Sequence, residues 1–131
     1  MALRPQDCSW RRAPGSSLQD EIWRRSRPQK ELGPKALALA ADTTDIAATE
    51  AAIAKGAEKF GKYDIVFANA GIAGNTPLGA STFETFERVI STNLTSVFFT
   101  VQSALPHLND NASIILNGSV ISVLGIPGYS A

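Results

Sequence analysis

Apolar and polar positions fall into regular blocks from Ala36 onward. Ala36-Leu37-Ala38-Leu39-Ala40-Ala41 is a continuous apolar run between Gly33-Pro34 and Asp42, the pattern of a strand covered on both faces. Asp45 then stands where a helix cap belongs. Ile46, Thr49, Ile53, Ala57 and Phe60 recur at spacings of three and four before Gly61, which predicts a helix with one apolar stripe and a glycine stop. Tyr63 to Ala68 (YDIVFA) reads as a second buried strand, closed by Asn69-Ala70-Gly71 and a glycine-rich loop from Ile72 to Ala80. Residues 82–107 read as one helix with Ser81 or Thr82 at its start and Pro106 near its end. Ala112 to Leu116 (ASIIL) is a third strand, followed by Asn117-Gly118-Ser119 and a loop of small residues to Ala131.

Strand, helix, strand, long helix, strand, with apolar runs in place of alternation, is the pattern of parallel βαβ units. The expected class is therefore α/β, a parallel sheet of about three strands with helices on its faces. In such sheets the ligand lies in the crevice beyond the carboxyl ends of the strands. The polar and glycine residues cluster at those ends: Asp42 and Thr43 after the first strand, Asn69, Ala70 and Gly71 after the second, and Asn117, Gly118 and Ser119 after the third.

Residues 1–30 break this regularity. Pro5, Pro14, Gly15 and Pro28 punctuate a stretch holding Trp10, Trp23 and the pairs Arg11-Arg12 and Arg24-Arg25. Ser17, with Asp20 and Glu21 after it, is placed to cap a short helix through Arg25, with Leu18, Ile22 and Trp23 on one side. The expected organisation is thus a basic, poorly ordered or short-helical arm over residues 1–30 and an α/β segment over residues 31–131.

Charge sharpens that division. The 131 residues carry 12 Lys+Arg and 12 Asp+Glu, a net of zero. Residues 1–35 hold eight of the basic and four of the acidic residues, a net of +4, and the remainder is −4. Acids interspersed in the arm and the absence of a repeated aromatic–basic spacing argue against a nucleic-acid surface. No run of 18 apolar residues suggests a membrane span, and no signal-peptide pattern opens the chain. A single cysteine, Cys8, excludes an internal disulfide and has no neighbours at metal-ligand spacing. The expectation is a cytoplasmic protein without a metal site.

The motifs taken together resemble the short-chain dehydrogenase/reductase family. They are Asp42 after the first strand, Asn69-Ala70-Gly71 after the second, Asn93 within Ser91-Thr92-Asn93-Leu94, Leu116-Asn117-Gly118-Ser119, and Gly125-Ile126-Pro127-Gly128-Tyr129-Ser130-Ala131. Each is weak alone, but five in the right order are specific, and they span about Glu31 to Ala131. The resemblance implies a Rossmann-like fold, NAD or NADP as cofactor, and hydride exchange with a small alcohol or carbonyl compound. It implies that Ser119 orients and polarises the substrate oxygen and that Asn93 holds a water in a proton path. Asp42 and Thr43 would lie near the adenine, where a carboxylate accepts the amino N–H. Asn69, Ala70 and Gly71 would form the turn beside the adenosine ribose. The plain alternatives are turn residues for Asp42, Asn69 and Ser119 and a tolerated surface polar residue for Asn93.

Two parts of the family's pattern are not found. Before Tyr63 the glycines are Gly15, Gly33, Gly56 and Gly61, and no pair has the spacing of the family's Thr-Gly-x-x-x-Gly-x-Gly phosphate turn. The family's catalytic Tyr would stand thirteen residues after Ser119, one position beyond Ala131, with its Lys further on; Tyr129, ten residues after Ser119, is out of register. The expectation is a partial fold without the first βαβ unit and the C-terminal part, catalytically incompetent by itself, with a non-catalytic fragment acting through association as the alternative. Without the family's first two strands, the run at Ala36–Ala41 is expected to pair directly with Tyr63–Ala68. The helix at 82–107 is expected to expose part of an apolar face, Val89, Val97, Phe98, Val101 and Leu105, and to favour self-association.

Overall fold

A computed structural model describes residues 33–130. The basic arm, its expected helix and Cys8 lie outside the described residues. The chain divides into two compact units, residues 1–40 and 41–131. In the first, Gly33–Lys35 makes a 3-10 turn, Gly33 taking a φ of +71° and its carbonyl accepting the Ala36 N–H at 3.2 Å.

Residues 36–42 form no strand. The expected strand at Ala36–Ala41, and its pairing with Tyr63–Ala68, are therefore corrected. Alanine has little to gain in a pleated surface, because it lacks the branched side chain that packs against cross-strand neighbours. A short apolar run also cannot reveal by its own period which state it takes.

The second unit begins with a helix whose ends are written in its sequence. Helix α1 runs Ile46–Phe60, and the Asp45 carboxylate accepts the Ala48 N–H at 3.0 Å, satisfying one of the donors that a helix start leaves unpaired. Gly61 ends it at φ +83° and returns its N–H to the Ala57 carbonyl at 2.8 Å, a conformation that favours glycine. Thr49 is buried, and its hydroxyl donates to the Asp42 carbonyl at 3.4 Å. Gly56 is buried because the Tyr63 phenol lies against it. That hydroxyl donates to the Ile53 carbonyl at 2.7 Å, tying α1 to the strand that follows. Burial raises the Tyr63 phenol above its ordinary value, an effect the Ala57 backbone N–H partly offsets.

Strands β1 (Tyr63–Ala68) and β2 (Leu108–Leu116) form a two-stranded parallel sheet. The register is regular from Ile65 opposite Ser113 to Ala68 opposite Leu116, and it slips between Tyr63, opposite Leu108, and Ile65. At the slip the Asn109 amide donates to the Asp64 carboxylate at 2.6 Å. The strand expected at Ala112–Leu116 thus covers the regular ladder, and the residues before it are the irregular extension.

The long crossover is four pieces where one helix is expected. Helix α2 (Phe83–Ile90) starts at Thr82, whose hydroxyl accepts the Thr85 N–H at 3.2 Å. A π-helical turn follows at Ser91–Thr95, and helix α3 covers Ser96–Ala104 before a 3-10 turn at Leu105–His107. Ser91, Thr92, Asn93 and Thr95 all carry side chains that compete with helical backbone bonds. Ser96 closes the wide turn, its N–H reaching the Ser91 carbonyl and its hydroxyl donating to the Thr92 carbonyl at 2.6 Å.

α3 packs against α1 and both strands. Of the alternating β1 side chains, Ala68 is buried and Val66 half-buried, whereas Ile65 and Phe67 remain 61% and 59% exposed. The covering of both sheet faces expected from the apolar runs is therefore seen on one face only among the described residues. On the crossover, Phe98 and Leu105 are exposed as expected, but Val89 is buried. It packs over Gly74, where an added Cβ would stand 2.6 Å from the valine methyl. Among the described residues no helix is long and apolar enough to cross a membrane.

Candidate functional site

Parallel pairing puts the carboxyl ends of β1 and β2 side by side, so the turns that leave them meet. Asn117 joins them twice. Its N–H donates to the Ala68 carbonyl at 3.0 Å, extending the ladder one step, and its side-chain amide donates to the Asn69 side-chain oxygen at 2.6 Å. Asn69-Ala70-Gly71 and Asn117-Gly118-Ser119 are thereby fixed as neighbours at one edge of the sheet.

Asn93 adds a third element. Its side-chain oxygen accepts the Ile72 N–H at 2.8 Å and its amide donates to the Ile72 carbonyl at 2.9 Å. One amide thus satisfies both backbone groups of one residue, as a strand neighbour would. The π turn makes this reach possible by widening the helix where Asn93 sits, and such turns recur at functional sites. Both polar ends of the Asn93 side chain are engaged with protein backbone, so the geometry assigns it to holding the loop after β1. Gly71 lies beside it, and an added Cβ there would meet the Asn93 oxygen at 3.5 Å, an ordinary contact.

Ser119 leaves β2 in extended conformation and opens the 3-10 turn Val120–Ser122, its hydroxyl oxygen accepting the Ile121 N–H at 3.3 Å. Next to it Gly118 faces open space, with nothing within 4 Å of the position a Cβ would take. The sheet edge therefore offers a hydroxyl, two amides and a clear approach.

Asp42 and Thr43 stand apart from this group, in the turn before α1. The Asp42 carboxylate accepts both the N–H and the hydroxyl of Thr44, at 2.9 and 2.8 Å. Of the residues singled out from sequence, Asn69, Ala70, Gly71, Asn93 and Ser119 are thus brought to the ends of the strands, and Asp42 and Thr43 are held in a turn on another element. Tyr129 is placed differently again, bridging in parallel to Thr76.

One contributor carried no sequence signal and another carried half of one. Thr76, fully buried in the loop after β1, binds the segment around Gly128 and Ser130. The Asn117 side chain was legible as a polar residue after a strand, but its partner Asn69 lies 48 positions away. Among the described residues no three His, Cys, Asp or Glu side chains stand together as a metal site would require.

Comparison with known proteins bears on the same segment. A family profile described as short chain dehydrogenase matches residues 18–131. The chain is similar to 2-(R)-hydroxypropyl-CoM dehydrogenase of Xanthobacter autotrophicus, 38% identical over 102 residues, covering 74% of this chain and 41% of that protein. It is also similar to an uncharacterised NAD-dependent oxidoreductase of Mycobacterium tuberculosis, 37% identical over 115 residues, with 88% of this chain and 41% of the other covered. Among solved structures, a dehydrogenase/reductase from Sinorhizobium meliloti superposes with a TM-score of 0.71 at 36% identity, covering 77% of this chain and 40% of that one. The chain spans about two-fifths of the length of these relatives.

Proposed function

The chain belongs to the short-chain dehydrogenase family, and from that premise we propose that it forms part of an NAD- or NADP-dependent oxidoreductase acting on a small alcohol or carbonyl compound. The observation that carries the reading is the Asn117–Asn69 bond, which sets the Ser119 loop beside the Asn69-Ala70-Gly71 turn at the carboxyl edge of a parallel sheet. The residues fit a nicotinamide nucleotide there: Gly118 leaves open space at the edge, and amide and hydroxyl groups suit a ribose. A bound nicotinamide would supply hydride exchange with the carbon of the alcohol or carbonyl.

On this reading Ser119 orients the substrate and donates its hydroxyl proton in a hydrogen bond to the substrate oxygen, favouring the charge that develops on it. Asn69, Ala70 and Gly71 line the ribose side, and Gly71 lets backbone come close. Asp42 and Thr43 are the adenine-side candidates. Asn93 holds the β1 loop through Ile72 and serves the water of the proton path by fixing the helix around it. The chain's single cysteine fits a reducing, cytoplasmic setting.

Titration of the polypeptide with NADH and NADPH, followed by nicotinamide fluorescence, tests the reading. Saturable binding that weakens on Gly71→Val is expected. Absence of saturable binding to either nucleotide overturns it.

One observation favours a second role, association through the crossover. Phe86, Leu94, Phe98 and Leu105 are all exposed on it, and exposed apolar area favours burial against a partner. Sedimentation of the protein and of Phe98→Ser distinguishes the two: a monomer at all concentrations removes this role.

A further inference from the structure

The loops that leave β1 and β2 are joined a second time, far from the strand ends. Thr76 lies seven residues beyond Asn69 and is fully buried. Its N–H donates to the Gly128 carbonyl at 2.7 Å. Its hydroxyl oxygen and its carbonyl accept the Ser130 N–H at 2.9 and 3.1 Å, and the Ser130 hydroxyl donates to the Thr76 carbonyl as well. Thr76 and Tyr129 form an isolated parallel bridge, one rung of sheet built between two loops.

The rung depends on shape as well as polarity. Gly128 takes a φ of +86°, and an added Cβ there would stand 2.9 Å from the Asn75 side-chain oxygen. Leu78 and Ala80 follow in an exposed turn, closed by the Ala80 N–H on the Pro77 carbonyl at 3.0 Å. Thr76, fully buried while Asn75 before it and Leu78 to Ala80 after it are exposed, is thus an anchor of that loop. Removing its hydroxyl takes one of the two acceptors from the Ser130 N–H and leaves it only the Thr76 carbonyl.

Two ties, one at Asn117–Asn69 and one at Thr76–Ser130, close the loops into a ring. Ser119 stands on that ring two residues from the first tie, and its hydroxyl oxygen is oriented by Ile121. A chain segment pinned at one end samples many conformations, and pinning the other end removes most of them. We propose that Thr76 is a positioning residue for Ser119: it fastens the far end of the 117–130 loop, so that the hydroxyl is held at the edge of the crevice before any ligand arrives. The proposal rests on the reading of Ser119 as the group that meets the substrate oxygen.

The loop's own amides test it without any ligand. Hydrogen exchange of the Ile121 N–H reports the Ser119 bond, and that of Ser130 reports the clamp. Thr76→Val, which keeps the shape and removes the acceptor, is expected to speed exchange at both Ser130 and Ile121 by about three- to tenfold. Exchange in α1 and at Phe67 should stay unchanged, and Thr76→Ser should restore the slow rates. Ser130→Ala, an exposed substitution that cannot unfold a core, should speed the same two amides to a smaller extent. Acceleration at Ser130 alone overturns the proposal, because the clamp would then be local. Uniform acceleration including α1 also overturns it, by reducing Thr76 to a stability residue. Failure of NADH and NADPH to bind would sink the functional reading while leaving these exchange rates as they are.

Discussion

Replacing Gly56 with alanine pits two well-characterised effects against each other, and the structure says which wins. In a free helix the change favours folding by about 1 kcal/mol, since glycine loses more backbone freedom than alanine. Here the new Cβ would stand 2.2 Å from the Tyr63 hydroxyl oxygen and 3.3 Å from the ring carbon that bears it. The phenol must move, and moving it breaks the 2.7 Å bond to the Ile53 carbonyl. A lost hydrogen bond of this kind costs about 0.5–1.5 kcal/mol, and overpacking a fitted contact costs about 1–3 kcal/mol. Gly56→Ala is therefore expected to destabilise the fold by about 1–3 kcal/mol net of the propensity gain, measured as a lower urea midpoint by circular dichroism. In a Tyr63→Phe background the offending oxygen is gone and only the 3.3 Å contact remains, so the same substitution should cost little there or even stabilise. A double-mutant cycle should show coupling of about 1–2 kcal/mol. Additive effects would refute the reasoning, for they would mean that Gly56 and Tyr63 do not compete for one space.

Two further expectations rest on single groups. Because burial raises the Tyr63 phenol, the unfolded chain ionises first on raising pH, so this group's stabilisation is complete below about pH 10 and declines above it; alkaline unfolding curves should lose that slope in Tyr63→Phe. Asn93→Ala removes both bonds to Ile72, and because the site is exposed to water the cost should be about 1 kcal/mol, read as a lower melting temperature, while Asn93→Asp keeps the acceptor, sets a carboxylate against the Ile72 carbonyl and should cost at least as much.

How much of the fold the residues declare depends on whether an element's signal is local. Helix α1 was legible to within a residue because its start and stop signals act on their own backbone: Asp45 on Ala48, Gly61 on Ala57. β1 was legible to the residue because Tyr63 to Ala68 combines branched and aromatic side chains. The run at 36–41 carried the same apolar signal without β-branched or aromatic residues, and it forms no strand. A strand exists only through its ladder, and the ladder that Tyr63–Ala68 makes is with β2, a choice that no local pattern encodes. The break of the long crossover was half visible, since four of the five residues at 91–95 carry hydroxyl or amide side chains, but the bond that goes with the wide turn, from Asn93 to Ile72, spans 21 positions.

Asn93 also shows why site residues are harder to assign than site location. Family resemblance and strand ends together pointed to one edge of the sheet, and the structure brings Asn69 and Ser119 to that edge. The role of an amide, however, is decided by what occupies its donor and acceptor. In Asn93 both are taken by the Ile72 backbone, so any part it plays in proton movement runs through the position of the helix and the loop it joins. Thr76 is the converse case. Nothing in Gly74-Asn75-Thr76-Pro77 marks it, because its partners, the backbone of Gly128 and Ser130 and the Ser130 hydroxyl, lie more than fifty positions away. Residues that touch a ligand tend to be of the types chemistry demands, whereas those that hold such residues in place are recognised only by where their hydrogen bonds go. In this fold Asn93, Asn117 and Thr76 are of the second kind by their bonds, which tie the loops after the two strands to each other and to the crossover.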